Sequence, residues 1–192
     1  MSEKIWNEFH QKSKERPPHA LLMEALTYVI DKNKAIDIGA GSLRDSKLLL
    51  NEGFEVTAID SNPVIQEVAS SLDNDKLSAF TSSFEKFNFP ENEYDVTSAM
   101  FALPFIKPEH FDSVILKIKS SVKSGGIFCG NFFGINDTWS INPVMTFHTK
   151  EQVTELLDGF EIIKFEEVEE DGTAVLGGMK HWHFFNVIGR KR

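Results

Sequence analysis

With 192 residues, 41% of them hydrophobic and 26% charged, the chain has the apolar content for one domain with a sizeable core and lies outside disordered or low-complexity compositions. Its formal charge of −9 counts against a surface that tracks phosphate backbones, so no nucleic-acid partner is expected. A single cysteine, Cys129, excludes an internal disulfide and a cysteine-built zinc site.

In chain order, residues 1–16 are polar and carry Trp6, Phe9 and Arg16, without an apolar signal core. Pro17 and Pro18 punctuate, and residues 19–32 read as a helix with Leu22, Leu26, Val29 and Ile30 on one face. Residues 1–33 are therefore expected to form a leader segment and helix ahead of a single domain over 34–192. Then comes the stretch that organises the rest, Ala35-Ile36-Asp37-Ile38-Gly39-Ala40-Gly41-Ser42: an apolar strand runs into two glycines and at once into a helical pattern over 43–51, with Gly53 placed to cap it. Glycine tolerates φ > 0 and lets a backbone approach a ligand closely, so this is a strand–turn–helix built around a bound molecule. About twenty residues on, Asp60 closes the second strand, 54–59, at the spacing where a nucleoside-binding βαβ unit places its ribose acid.

Asn62 and Pro63 start the next helix, and residues 76–81 form a third strand followed by Ser82-Ser83-Phe84-Glu85. The fourth strand, 93–99, ends at Met100-Phe101-Ala102. Residues 108–123 form the clearest helix, with Phe111, Val114, Ile115, Ile118 and Val122 at helical spacing. Gly125 and Gly126 lead into a fifth strand, 127–133, which places Cys129 as a buried small apolar residue. A loop over 134–147 carries Asp137, Trp139 and Met145. Thr149 with Gln152 fits a capping box for a helix closed by Gly159. Residues 160–168 are a sixth strand, the acids through Asp171 mark a solvated hairpin end, and residues 180–189 return as a seventh. Seventeen phenylalanines exceed what a core alone needs and suggest an apolar pocket.

Asp37-x-Gly39-x-Gly41, with an acid ending the next strand, resembles the first two motifs of class I S-adenosylmethionine-dependent methyltransferases. A dinucleotide site would want a third glycine where Arg44 stands, which counts against a nicotinamide oxidoreductase. The element order from Lys34 to Gly189 matches that family's core. The resemblance implies an α/β, three-layer, doubly wound, seven-stranded, mostly parallel sheet with an antiparallel last strand. It also implies S-adenosylmethionine as cofactor and S-adenosylhomocysteine as product. The cofactor-binding residues it implies are Asp37, Gly39, Ala40, Gly41, Arg44, Asp60, Ser61, Ser83, Phe84, Glu85, Met100, Phe101 and Ala102. Among these Asp60 accepts from the ribose hydroxyls, Ser83 to Glu85 hold adenine, and Arg44 faces the methionine carboxylate or else lies solvated on the surface. The leader lies over the cofactor as a lid that Trp6 and Arg16 touch, or merely covers an edge. The turn Gly41-Ser42-Leu43-Arg44-Asp45, the run 54–60 and Phe147-His148-Thr149-Lys150-Glu151 are similar to small bacterial tellurite-resistance-type methyltransferases. That closer resemblance implies methyl transfer to small soft nucleophiles, tellurium or selenium oxyanions included.

The expected activity is methyl transfer to a small molecule by in-line displacement, with a non-catalytic cofactor sensor as the alternative. The Asn/Asp-Pro-Pro-aromatic motif of amino-directed nucleic-acid methylation is missing after the fourth strand. For a proton acceptor, His181 and His183 share one face of the last strand, and Asp137 and His148 lie near the loop after the fifth. All four also read as packed or surface residues. His181 and His183 lack an evident third ligand, so no metal is expected. No membrane span is visible either, and the expected location is the cytoplasm.

Overall fold

The computed structural model describes residues 5, 8, 12–14 and 16–192. Its seven strands form one sheet in the order β3-β2-β1-β4-β5-β7-β6, where β1 is Lys34–Ile38, β2 Glu55–Asp60, β3 Leu77–Thr81, β4 Tyr94–Ala99, β5 Val122–Phe133, β6 Phe160–Thr173 and β7 Met179–Lys191. Strands β1 to β5 run parallel, and β7 inserts antiparallel between β5 and β6. Helices α1 (Ala20–Leu26), α2 (Arg44–Asn51) and α3 (Val64–Leu72) cover one face; α4 (Pro108–Ser121) and α5 (Lys150–Leu156) cover the other. This is the three-layer, doubly wound architecture read from the sequence, and the order reverses between β1 and β4, the position where such sheets open a ligand crevice.

Alternation along each strand sorts the two cores. In β1, Ile36 and Ile38 pack toward α4 and α5 with Phe111, Ile115 and Ile118, whereas Ala35 packs toward α1 and α2 with Leu22 and Leu49. Central β4 is buried along its whole length, as a strand covered on both faces requires. Cys129 lies fully buried in the α1-side core, and burial pushes its thiol up, so it is an inert packing residue.

Three boundaries differ from expectation. The first helix stops at Leu26, short of 32, because Thr27, Tyr28, Val29 and Ile30 are poor helix formers and Thr27 Oγ1 turns back to the Glu24 carbonyl (2.7 Å); Ile30 is exposed, off the expected face. The fourth helix gives way to β5 at Val122, ahead of the two glycines. The acids from Glu166 to Asp171 belong to a long β6 paired with β7 out to Thr173 and Met179, not to a hairpin end. Exposed edge positions let acids face water without leaving the ladder. The capping box at Thr149 and Gln152 forms as read.

Candidate active site

The glycine turn connects β1 to α2 at the open end of the sheet. Gly39 adopts φ 75°, and a Cβ there would sit 2.5 Å from the Ala102 Cβ, so the turn and the residues after β4 are pressed together as only glycine permits. Gly39 and Ala40 donate to the Ile59 carbonyl at 2.8 and 3.0 Å, and Gly41 donates to Asp60 Oδ2 at 2.9 Å. Asp60 Oδ1 accepts from the Asn62 amide at 2.8 Å, and the Asn62 side chain in turn caps α3 at Val64 (3.0 Å). Asp60 therefore fastens the turn to the end of β2. Each of its oxygens keeps a further lone pair for a ligand hydroxyl.

Asp37, 2% exposed, points beneath α2 and accepts from Ser46 Oγ at 2.6 Å. Burial, then the charge of Asp45, outweighs that bond and, with Asp60 adding to it, holds its carboxyl at about 7. A buried carboxyl balanced near neutrality favours a cation brought beside it.

The structure gathers the other expected cofactor residues unevenly. Phe84 reaches within 3.6 Å of the Cβ position at Gly39, and Ser83 and Glu85 flank it half-buried. Ala102 and Phe101 stand at the turn, but the Met100 side chain is packed into the α1-side core and leaves only its backbone there. Ser61 is exposed. Arg44 bends toward the leader, where its Nη1 donates to the Pro17 carbonyl (3.4 Å) and its Nη2 lies on His19 Nε2. Ser13 is buried against Ser42 of the turn, 3.5 Å between hydroxyls. Of the two residues expected to touch the cofactor from the lid, Trp6 lies outside the described residues and Arg16 is exposed.

The expected proton acceptors fall on the β5–β7 side. His181 is held near the surface by Asp171 (2.8 Å) and Glu169 (3.2 Å), and these bonds raise it above the ordinary imidazole value. His148 packs its ring 4.5 Å from that of Phe111; burial lowers it to about 4, and its Nδ1 finds no partner among the described residues. His183 is buried so close to Gly134 that a Cβ there would stand 2.1 Å from its Nδ1. Asp137 is wholly engaged: it accepts from the amides of Trp139 (2.9 Å) and His183 (3.2 Å) and from Lys180 Nζ. His183 and Asp137 are thus brought together, with the odd-numbered ring on the face of β7 opposite Trp182 and Phe184.

Glu167 and Glu169 bring an oxygen each within 4.8 Å of a His183 nitrogen, a group of three that does not include His181. The ring chemistry disfavours a cation there. Asn136 N–H donates to His183 Nδ1 (3.1 Å), so Nε2 carries the hydrogen and gives it to Glu167 (3.2 Å).

Sequence reasoning missed His19 and Asp45, which are joined in space across 26 residues: Asp45 Oδ2 is 2.6 Å from His19 Nδ1, and Oδ1 accepts the His19 amide at 2.9 Å. No spacing rule links them; an acid in the first turn of a helix is ordinary by itself. It also missed that Lys180 is buried.

A family model for the tellurite resistance protein TehB matches residues 1–173. No curated protein matches the chain by sequence. Among solved structures, TehB from Haemophilus influenzae superposes with a TM-score of 0.76 at 21% identity, covering 91% of this chain and 62% of that one. This chain thus spans less than two thirds of that relative. An S-adenosylmethionine-dependent methyltransferase from Methanosarcina mazei matches at TM-score 0.70 and 18% identity, covering 92% of this chain and 99% of the other. The 1,6-didemethyltoxoflavin-N1-methyltransferase of Burkholderia thailandensis, solved with 1,6-didemethyltoxoflavin and S-adenosylhomocysteine, matches at 0.62 and 19%, covering 90% and 78%.

Proposed function

This chain belongs to the TehB family of tellurite resistance proteins, and from that premise we propose that it is an S-adenosylmethionine-dependent methyltransferase acting on a small-molecule acceptor by in-line displacement. The observation that carries the reading is the pair of carboxylates ending β1 and β2 on either side of the glycine turn. Asp60 holds the turn with one lone pair of each oxygen and keeps the others for ribose hydroxyls. Asp37, balanced near neutrality, gains from a neighbouring ammonium or sulfonium charge. Phe84 offers a ring to adenine, with Ser83 and Glu85 beside it for the amino group. Arg44, already close by, is the residue to take the methionine carboxylate.

When bound, S-adenosylmethionine supplies an activated methyl group. The chain's own part is to align the acceptor with that methyl and to exclude water, which in favourable cases contributes about 7–11 kcal/mol. Ser13 buried on Ser42 supports a leader that helps to close the turn. The test is turnover with a panel of thiols, phenols, amines and selenium or tellurium oxyanions. Methylated product from at least one class is expected; tight binding of S-adenosylmethionine with no product from any class would instead mark a sensor.

Asp37 adds a pH signature. Its folded value lies above the unfolded one, so the stability it contributes is complete below about pH 4 and is lost as pH rises through about 7. A cationic ligand prefers the ionised form, so affinity for S-adenosylmethionine should fall by up to about tenfold per unit as pH drops below 7. Calorimetry from pH 5 to 8 checks this, and Asp37→Asn should flatten the slope. A slope unchanged in that variant would remove Asp37 from the cation's surroundings.

A further inference from the structure

We propose that His19 and Asp45 are a proton-accepting pair at the methyl-transfer site, and that the acceptor is therefore a flat protic molecule, a phenolic hydroxyl or ring N–H. This rests on the methyl-transfer reading and names its substrate class.

The tautomer follows from the neighbours. A carboxylate oxygen accepts, so Asp45 Oδ2 against His19 Nδ1 leaves the ring's lone pair on Nε2, while Arg44 Nη2 lies against both ring nitrogens, 3.2 Å from Nδ1. The ring hydrogen is then on Nδ1 and is donated to Asp45 Oδ2 at 2.6 Å. The second Asp45 oxygen accepts the His19 backbone amide, which fixes the ring against rotation. A carboxylate behind Nδ1 and a lone pair in front at Nε2 is the arrangement that stabilises an imidazolium once a proton arrives. The Asp45 side chain is 5% exposed and that of His19 23%, so the carboxylate is dry while the ring can be reached.

The ring faces the place where an acceptor would lie. Its centroid is 5.6 Å from that of Phe101, two residues past the end of β4 and next to Ala102, which presses on Gly39. Phe101 is held in the left-handed region (φ 52°), and its amide donates to Asn131 Oδ1 at 3.1 Å. Its ring meets those of Phe184, Phe133 and Trp182 at 5.3, 6.1 and 6.3 Å. Phe101, Trp182 and Phe184 are only half-buried. A base beside a partly open aromatic wall suits a flat apolar molecule carrying one acidic hydrogen. A tellurium or selenium oxyanion brings its own lone pair, needs no base and gains nothing from such a wall.

In the step, the acceptor's O–H or N–H proton passes to His19 Nε2. The methyl carbon bonds to that oxygen or nitrogen, and the carbon–sulfur electron pair stays on the sulfur of the departing thioether. Arg44 covers Nε2 and must turn aside first; a carboxylate is its better partner, so the amino-acid end of the cofactor is suited to draw it off. Among the described residues, the charged groups at the ring are Asp45 and Arg44 of α2, with Arg16 acting on Arg44; Phe101, past the end of β4, is neutral.

The full chain is assayed with S-adenosylmethionine against phenols, heteroaromatic amines, selenite and tellurite. Phenols or ring amines are expected to turn over in preference to the oxyanions. His19→Gln should lower kcat on them by roughly 10²–10⁴-fold while S-adenosylmethionine affinity by calorimetry stays within about threefold. Asp45→Asn, which changes a positioning residue, should shift the acid limb of the kcat–pH profile. Independently of turnover, nitrogen-15 spectra should show His19 protonated at Nδ1 and bare at Nε2, with both signals moving in Asp45→Asn. A wild-type protein that binds S-adenosylmethionine yet methylates only oxyanions, or nothing, overturns the proposal. So does undiminished kcat in His19→Gln, or a ring protonated at Nε2. Absence of S-adenosylmethionine binding overturns the methyl-transfer reading and this inference together, and the calorimetry tells that case apart.

Discussion

Replacing Asp60 by alanine is expected to weaken S-adenosylmethionine binding by at least about a hundredfold, since two charge-assisted hydrogen bonds to ribose hydroxyls contribute about 1.5–3 kcal/mol each. The substitution also touches the fold. Gly41 and Asn62 N–H both end on this carboxylate, so alanine leaves two backbone donors without their partner and should cost roughly 1–3 kcal/mol of stability. The two effects separate by measurement: urea unfolding of the free protein reads the second, and calorimetry on the folded variant reads the first. Asp60→Asn keeps one acceptor oxygen and should fall between wild type and alanine in both. If alanine lowers stability while leaving affinity within about threefold of wild type, Asp60 is only a fastener of the turn and the ribose lies elsewhere.

The strand–turn–helix and the acid ending β2 were legible because their cause is local. A glycine forced to φ 75° and a carboxylate at a strand end are set by chain geometry over about twenty residues. The same holds for the capping box at Thr149 and the apolar face of α4, where periodicity alone decides burial. Proton chemistry was not legible, because it depends on which distant side chains meet. His181 and His183 alternate as expected on β7, yet one lies among carboxylates in solvent and the other donates its only hydrogen to Glu167. The partner strand β6 decides that, through a register that its string of acids did not betray. His19 shows the converse: as a residue it marks only a helix start, and it becomes a base solely because the folded sheet brings Asp45 behind its ring.

Replacing Lys180 by methionine is expected to destabilise the protein by about 3–5 kcal/mol, the cost of leaving a buried carboxylate without its counter-ion. The Lys180 side chain is 3% exposed and that of Asp137 0%. The ammonium sits 3.7 Å from the Trp182 ring centroid, 4.4 Å from that of Trp139 and 5.0 Å from that of Phe133, an aromatic cage closed by Asp137. Burial lowers the lysine from its ordinary value, and the bond to Asp137 opposes that shift. Asp137 also accepts the amides of Trp139 and His183, so one carboxylate fastens the loop after β5 to β7. Phe133 and Trp182, two of the cage walls, are also neighbours of Phe101. Losing the pair should therefore loosen the aromatic wall beside His19 as well as lower the unfolding midpoint. Asp137→Asn leaves the ammonium its aromatic faces but keeps a carbonyl for only one of the two amides, because Trp139 N–H ends on Oδ1 and His183 N–H on Oδ2, so it should destabilise as well. The double variant, Lys180→Met with Asp137→Asn, should recover part of the methionine penalty, because it removes the uncompensated charge. Urea unfolding of the two single variants and the double completes the cycle. Additive losses would show that ammonium and carboxylate are held by the cage and the amides separately, and not by each other.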